Sequence, residues 1–273
     1  MHLHERIKHD LLTKGRGEYT LTVDQFDYDS FDQLFEEMRP RHCYNSFTQT
    51  LDVDMPLWIH GLCNDWFKAW LTQMVVEGYV AQRSLYASSG ITLRGFTGRF
   101  YGRYAAYSLR IISVCTKICS VKEPDCFITS RGIWPGVTLE VGYSETYNKL
   151  LQDADIMLEG SQGKIHLVIL VKLVPPGPSD THFESGFVEL HEYNPASGTR
   201  RKRGQRRTLY PIPRSHARQR ITLQWDDIIR DNTDLLLRPV SSPPPPLMLD
   251  DLRRCVEFGL DQELKTREYL EEL

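Results

Sequence analysis

Residues 122–174 read KEPDCFITSRGIWPGVTLEVGYSETYNKLLQDADIMLEGSQGKIHLVILVKLV, and the order of elements in this stretch decides the fold. Two short β-prone runs come first, Cys126–Thr129 and Val137–Val141, with Asp125 at the head of one and Glu140 inside the other. Gly132, Pro135 and Gly136 lie between them and carry enough turn chemistry to reverse the chain, so the runs are expected to pair antiparallel. Asp125 and Glu140 then lie at the same end of the pair. Next, Tyr147, Leu150, Leu151, Ala154, Met157 and Leu158 recur at steps of three and four, the period of a helix with one buried face. In Ile165–Val171 the only polar side chain is His166, which predicts a strand covered on both faces. The helix is long enough for a right-handed crossover, making the strand over 165–173 parallel to 137–141. Lys172 arrives at the same edge as the two acids.

Two carboxylates and an amine meeting at one edge of a mixed sheet suit a divalent metal and a phosphate. Glu140 points the same way on energetic grounds, because a half-buried carboxylate among Val and Leu is costly unless a cation or a hydrogen-bond donor meets it. The spacing of Asp125 and Glu140, the phrase WPGVTLEVGYSE, the helix carrying DAD and the apolar strand together resemble the PD-(D/E)XK nuclease superfamily. Within it they resemble the restriction-endonuclease-like branch found in bacteria and in uncharacterised fungal proteins. The likeness begins at Asn45 and is firmest from Lys122 to Val174.

The resemblance implies an α/β (α+β) fold with a mixed four-stranded sheet flanked by helices. It implies Asp125, in KEPD, and Glu140, in LEVG, as ligands of magnesium or manganese in phosphodiester hydrolysis of DNA or RNA. Gly142 stands where the motif has its lysine, and Lys172 and Lys149 are the available substitutes. Lys172 is preferred because the parallel strand brings it to the acidic edge. A family helix that often pairs an acid with a histidine has here His60 followed by Gly61. Two readings follow. One is a metal-dependent nuclease with Asp125, Glu140 and Lys172 as catalytic residues; the other is a nuclease-fold module that binds nucleic acid or a partner without cleaving.

Outward from the centre, 273 residues at 41% hydrophobic content supply one domain with extensions. No apolar run approaches the roughly 20 residues that span a bilayer, and MHLHERIKHD has no apolar core of a secretion signal. An intracellular place, nucleus or cytoplasm, is expected. The cysteines at 43, 63, 115, 119, 126 and 255 show no CxxC spacing and read as free thiols. His2, His4 and His9 read as a solvated terminus. Residues 1–44 form an extension whose helix carries Phe31, Leu34, Phe35 and Met38 on one face, and 45–232 form the nuclease-like domain. In that domain 45–54 is expected to be a strand, Leu57–Val76 a helix, Ile91–Phe96 a strand of the core hairpin and 98–121 a β-hairpin arm.

On the other side, 187–193 is expected to be an edge strand and 221–229 a further strand. Residues 193–225 contain no Asp or Glu but nine Lys and Arg; removing those nine from the 33 leaves 24 against 36 acids. Arg200, Arg201, Lys202, Arg203, Arg206 and Arg207 therefore read as a basic arm for nucleic acid or nuclear import, with a plain solvated loop as the bland alternative. SSPPPP at 241–246 makes 233–247 a stiff linker. The last helix, over 248–273 with Asp250 or Asp251 as cap, carries Leu252, Val256, Leu260 and Leu264 every four residues. That stripe either docks on the domain or pairs with a second chain.

Overall fold

The computed structural model describes residues 18–22, 41–54, 57–101, 120–143, 145–177, 180–230 and 232–271. The histidines at 2, 4 and 9, the helix expected over 29–38 and residues 102–119 of the expected arm lie outside the described residues. The fold is mixed α/β, of the α+β class.

Its centre follows the sequence. Strand β6 (Cys126–Thr129) pairs antiparallel with β7 (Val137–Gly142), helix α2 (Tyr147–Leu158) follows, and β8 (Leu167–Val174) returns parallel to β7. With β4 (Tyr86–Ser88), β9 (Ser185–Asn194) and β10 (Thr199–Tyr210) these make a six-stranded sheet in the order β10-β9-β8-β7-β6-β4. The β7–β8 pair is its single parallel pair. Alternate residues of β7 and β8 divide between two cores. Val137, Leu139, Val141, Ile169 and Val171 pack with helix α1 (Trp58–Val76) and helix α4 (Leu249–Glu271), whereas Val168 and Leu170 pack with Leu150, Ala154 and Met157 of α2. Burial of both faces explains why β8 reads as an unbroken apolar run from Leu167 to Val171.

A second sheet of four strands has the order β1-β3-β2-β5. It joins β1 (Glu18–Thr22), β2 (Arg41–Asn45), β3 (Thr50–Asp54) and β5 (Val121–Lys122). The single strand expected over 45–54 is instead a hairpin. Asn45 ends β2, and its Oδ1 accepts the backbone N–H groups of Phe47 and Thr48 through the turn.

Three other expectations change. Ile91–Phe96 is not a strand of the core hairpin; only Leu93 bridges, to Lys122, because Gly90 and Gly95 adopt φ of +69° and +84° and break the extended run. Its place beside β6 belongs to β4. The run over 187–193 is inside the sheet, since β10 covers it. Residues 221–229 do not extend the sheet: β11 (Arg220–Ile221) pairs with β12 (Leu247–Met248), and Trp225–Ile229 forms a short helix, α3. Asp227 accepts the N–H of Gln224 at 2.8 Å and so caps the first turn of α3.

The proline-rich stretch is docked and does not act as a free spacer. Two indole N–H groups hold its backbone, Trp70 donating to Pro245 O at 2.7 Å and Trp225 to Ser242 O at 2.6 Å, and Trp66 donates to Met248 O just beyond it at 3.1 Å. A buried indole needs such an acceptor, and a proline-rich backbone, poor in N–H groups, has carbonyls to spare. The chain therefore reaches α4 along the surface of α1. Leu252, Val256 and Leu260 are buried there, and Gly259 lies so close that a Cβ would come within 3.1 Å of Ile59 Cα. Three residues of the α4 stripe are covered within the chain, and Leu264 is half-buried.

Candidate functional site

At the end of the six-stranded sheet that carries Glu140, β6 has not yet begun while β7 is still running. On its β6 side the Val141 backbone lacks a strand neighbour, and two side chains supply its hydrogen-bond partners. Asp125 Oδ2 accepts the Val141 N–H at 2.7 Å, and His60 Nε2 donates to Val141 O at 3.0 Å while its Nδ1 accepts the Leu57 N–H. His60 thus ties α1 to β7 as a hydrogen-bonded helix residue. Asp125 and Glu140 are 2% and 1% exposed, and because Cys126 pairs with Leu139, Asp125 just ahead of β6 comes level with Glu140 of β7.

Lys172 is the cross-strand partner of Gly142 in the parallel pair, two positions along from Glu140 on the same face. Its Nζ donates to Leu173 O at 2.9 Å and to Tyr143 O at 3.3 Å. A Cβ at Gly142 would lie 2.9 Å from Glu145 Oε1 and 3.0 Å from its Cγ, so a side chain there requires Glu145 to shift. The site therefore cannot carry a lysine at position 142 without moving Glu145.

The amine in contact with Glu140 is Lys122, from β5 of the other sheet. Lys122 Nζ is 3.0 Å from Glu140 Oε2 and 2.7 Å from Asp153 Oδ2, and all three side chains are at most 4% exposed. Asp153 also meets Lys149 at 3.7 Å and accepts from Cys43 Sγ at 3.6 Å; Lys149 reaches Glu145 at 3.2 Å and Asp52 at 3.7 Å. The result is a buried network that ties both sheets to α2.

Its protonation follows from its neighbours. Burial opposes the charge on Lys122, but Asp153 and then Glu140 outweigh it and hold the ammonium well above the ordinary lysine range. Burial raises Asp153, yet Lys122 and Lys149 overcome this and bring it down to about 2. Burial pushes Glu145 up, with Lys149 opposing. Sequence reasoning missed Lys122, Asp153 and Glu145. A signal existed in the spacing of Glu145, Lys149 and Asp153, which recur every four residues, so that Lys149 and Asp153 share one face of α2 and Glu145 just ahead of the helix reaches Lys149.

The donor set fits magnesium or manganese in type, because Asp125 and Glu140 offer hard carboxylate oxygens. Among the described residues no group of three His, Cys, Asp or Glu side chains forms a metal cage. The cation at Glu140 is an ammonium.

The basic arm is an ordered strand and not a solvated loop. A tight turn, Gly198 N–H to Asn194 O at 2.8 Å, folds β10 back on β9. Five of its charges meet acids: Arg200 with Asp155, Arg201 with Glu192, Lys202 and Arg206 with Glu189, and Arg203 with Asp227. Arg207 makes no ion pair among the described residues. A bulge between Arg203 and Arg207 turns Arg206 onto the Phe187 ring, 3.6 Å from its centroid. The excess of positive charge read from sequence is thus largely neutralised in space by acids of β9, α2 and α3.

Glu189 anchors this edge. Its buried carboxylate accepts from Tyr147, from Arg206 at 2.8 Å and from His191 at 3.1 Å. Burial raises it, but the Tyr147, Arg206 and His191 hydrogen bonds prevail and set it at about 2. A carboxylate depressed in this way stabilises the fold above its unfolded value, and that stability is lost as pH falls through its folded value. Glu189→Gln is therefore expected to cost about 2–3 kcal/mol at pH 7, with the difference from the parent shrinking toward pH 2 in urea titrations. A difference that stays constant with pH would refute this account.

No protein-family model matches this chain, and no curated protein does. No helix among the described residues is long and apolar enough to cross a membrane.

Proposed function

We propose that this protein is a metal-dependent nuclease of PD-(D/E)XK type, acting on phosphodiester bonds of DNA or RNA. The observation that carries the reading is the register at the open end of β7: Asp125 on the Val141 backbone beside Glu140, and Lys172 directly across from Gly142. Where the motif has its lysine, this chain has Gly142, and an amine stands on the neighbouring strand at the same level. The run β6-β7-β8-β9, with α1 on one face and α2 on the other, supports a restriction-endonuclease-like core inside the wider sheet.

In this reading Asp125 and Glu140 hold magnesium or manganese, which supplies positive charge at the scissile phosphate. Asp125 also fixes the β7 backbone, and Lys172 offers the amine. The exposed Arg201, Lys202, Arg206 and Arg207 meet the phosphate backbone at the sheet edge. A second reading, a non-catalytic nucleic-acid-binding or interaction module, is favoured by the Lys122 ammonium 3.0 Å from Glu140.

Incubation with plasmid, single-stranded DNA and RNA in magnesium or manganese tests both. Cleavage by the parent that drops at least about a hundredfold, some 2.7 kcal/mol of barrier, in Asp125→Ala and in Glu140→Ala is the expected result. Binding without cleavage, weakened by salt and by neutralising Arg206 and Arg207, would replace it with the module reading. Equal cleavage in parent and variants would sink the assignment of the site.

A further inference from the structure

Lys122 is a buried charge at this site that the proposed reaction does not use. It belongs to β5, which pairs with β2 in the four-stranded sheet, yet its side chain crosses to the six-stranded sheet and ends between Glu140 and Asp153. A buried carboxylate must be met by a cation or by donors, and here the protein supplies the cation itself. We infer that Lys122 is an internal counter-cation that holds the divalent ion's place at Glu140, so that metal enters only when Lys122 withdraws. The inference rests on the nuclease reading in taking Glu140 as a metal acid.

Three observations carry it. The ammonium is within ion-pair distance of the Glu140 oxygen a metal would use, so a divalent ion there would face a fixed positive charge in a poorly hydrated setting. Lys122 is only three residues from Asp125, so the group that closes the site and one of the acids that would hold the ion share one short segment. Finally, β5 comprises two residues held by the Cys43–Lys122 and Tyr44–Val121 pairs and the Leu93 bridge. Withdrawal of the lysine requires the release of few backbone hydrogen bonds.

The surrounding side chains are suited to accept a replacement. Without Lys122, Glu140 and Asp153 would face each other across the vacated position, with Lys149 3.7 Å from Asp153 as the remaining nearby ammonium. Two carboxylates from different elements, β7 and α2, would then share one cation. Lys122→Met keeps the length and apolar stem of the side chain and removes its charge.

Manganese binding to the full chain, followed by the electron paramagnetic resonance of free Mn2+, tests the idea without relying on catalysis. Lys122→Met should bind one Mn2+ at least tenfold more tightly than the parent. Lys122→Arg should bind as weakly as the parent, and Lys122→Met combined with Glu140→Gln should lose the gain. Equal or weaker binding by Lys122→Met overturns the proposal, as does tight binding by the parent. If Lys122→Met is unfolded in chelator, folding becomes the readout, because an ion that binds only the native state stabilises it by mass action. Recovery of near-ultraviolet circular dichroism on adding Mn2+ supports the inference, and a chain that stays unfolded at saturating Mn2+ overturns it. Tight Mn2+ binding by Lys122→Met and weak binding by the parent, with no cleavage by either, would leave the counter-cation role standing and remove the nuclease reading.

Discussion

Asp153→Ala is expected to lower the free energy of unfolding by about 3–5 kcal/mol, the usual cost of removing one partner from a buried ionic group. Asp153 is the hub of its network: it pairs with Lys122 at 2.7 Å and with Lys149 at 3.7 Å, and it accepts from Cys43. Without it, Lys122 keeps only Glu140 as an ion-pair partner among the described residues, and these links from α2 to β5 and to β2 are lost together. The desolvation of the ammonium remains while its nearest compensation goes. Urea denaturation of Asp153→Ala beside Lys265→Ala gives the comparison. Lys265 and Asp261 form an exposed pair on α4, and breaking such a pair costs at most about 0.5 kcal/mol. A loss below about 1 kcal/mol for Asp153→Ala would mean that water enters and screens the cluster.

Residues 122–174 made the centre of the fold legible because several local signals agree there. Turn residues at 132, 135 and 136, a helical period from Tyr147 to Leu158 and an unbroken apolar strand leave few arrangements, and the structure adopts the antiparallel–crossover–parallel one. Lys172 was placed by the same logic, since a parallel strand of known direction fixes which end its last residues reach. What was not legible came from other parts of the chain. Lys122 reads in sequence as one more polar residue before a strand; only the pairing of β5 with β2 sends it into the acidic cluster. The pairing of the basic arm was hidden for a related reason. A run of charge says nothing about the acids that fold against it, and Glu189, Glu192, Asp155 and Asp227 come from three separate elements. At 221–229, alternating apolar residues suggested a strand, while the Asp227 cap favoured a single helical turn.

Gly136→Ala is expected to cost about 3 kcal/mol, at the upper end of what overpacking usually costs, although the side chain added is one methyl group. Gly136 lies in the WPG phrase ahead of β7, and its backbone joins three elements: its N–H donates to Ile128 O at 3.0 Å, and its carbonyl accepts from His166 at 3.0 Å and Leu167 at 3.2 Å. The fourth neighbour is α3, packed so close that a Cβ would lie 2.5 Å from Ile228 O and 2.7 Å from Asp227 O. These are backbone atoms, so no rotamer change relieves the clash and α3 must shift as a unit. That shift disturbs the Arg203–Asp227 pair at 2.6 Å and the Trp225 hydrogen bond that holds the proline-rich stretch. At about 2–4 °C per kcal/mol for a chain of this size, the melting temperature should fall by roughly 6–12 °C. Gly132→Ala in the same turn is the control: its nearest contact is 3.4 Å, ordinary packing, and it should cost less than about 1 kcal/mol. If both variants lose the same amount, the loss reflects turn flexibility, and close contact with α3 is not what reserves position 136 for glycine.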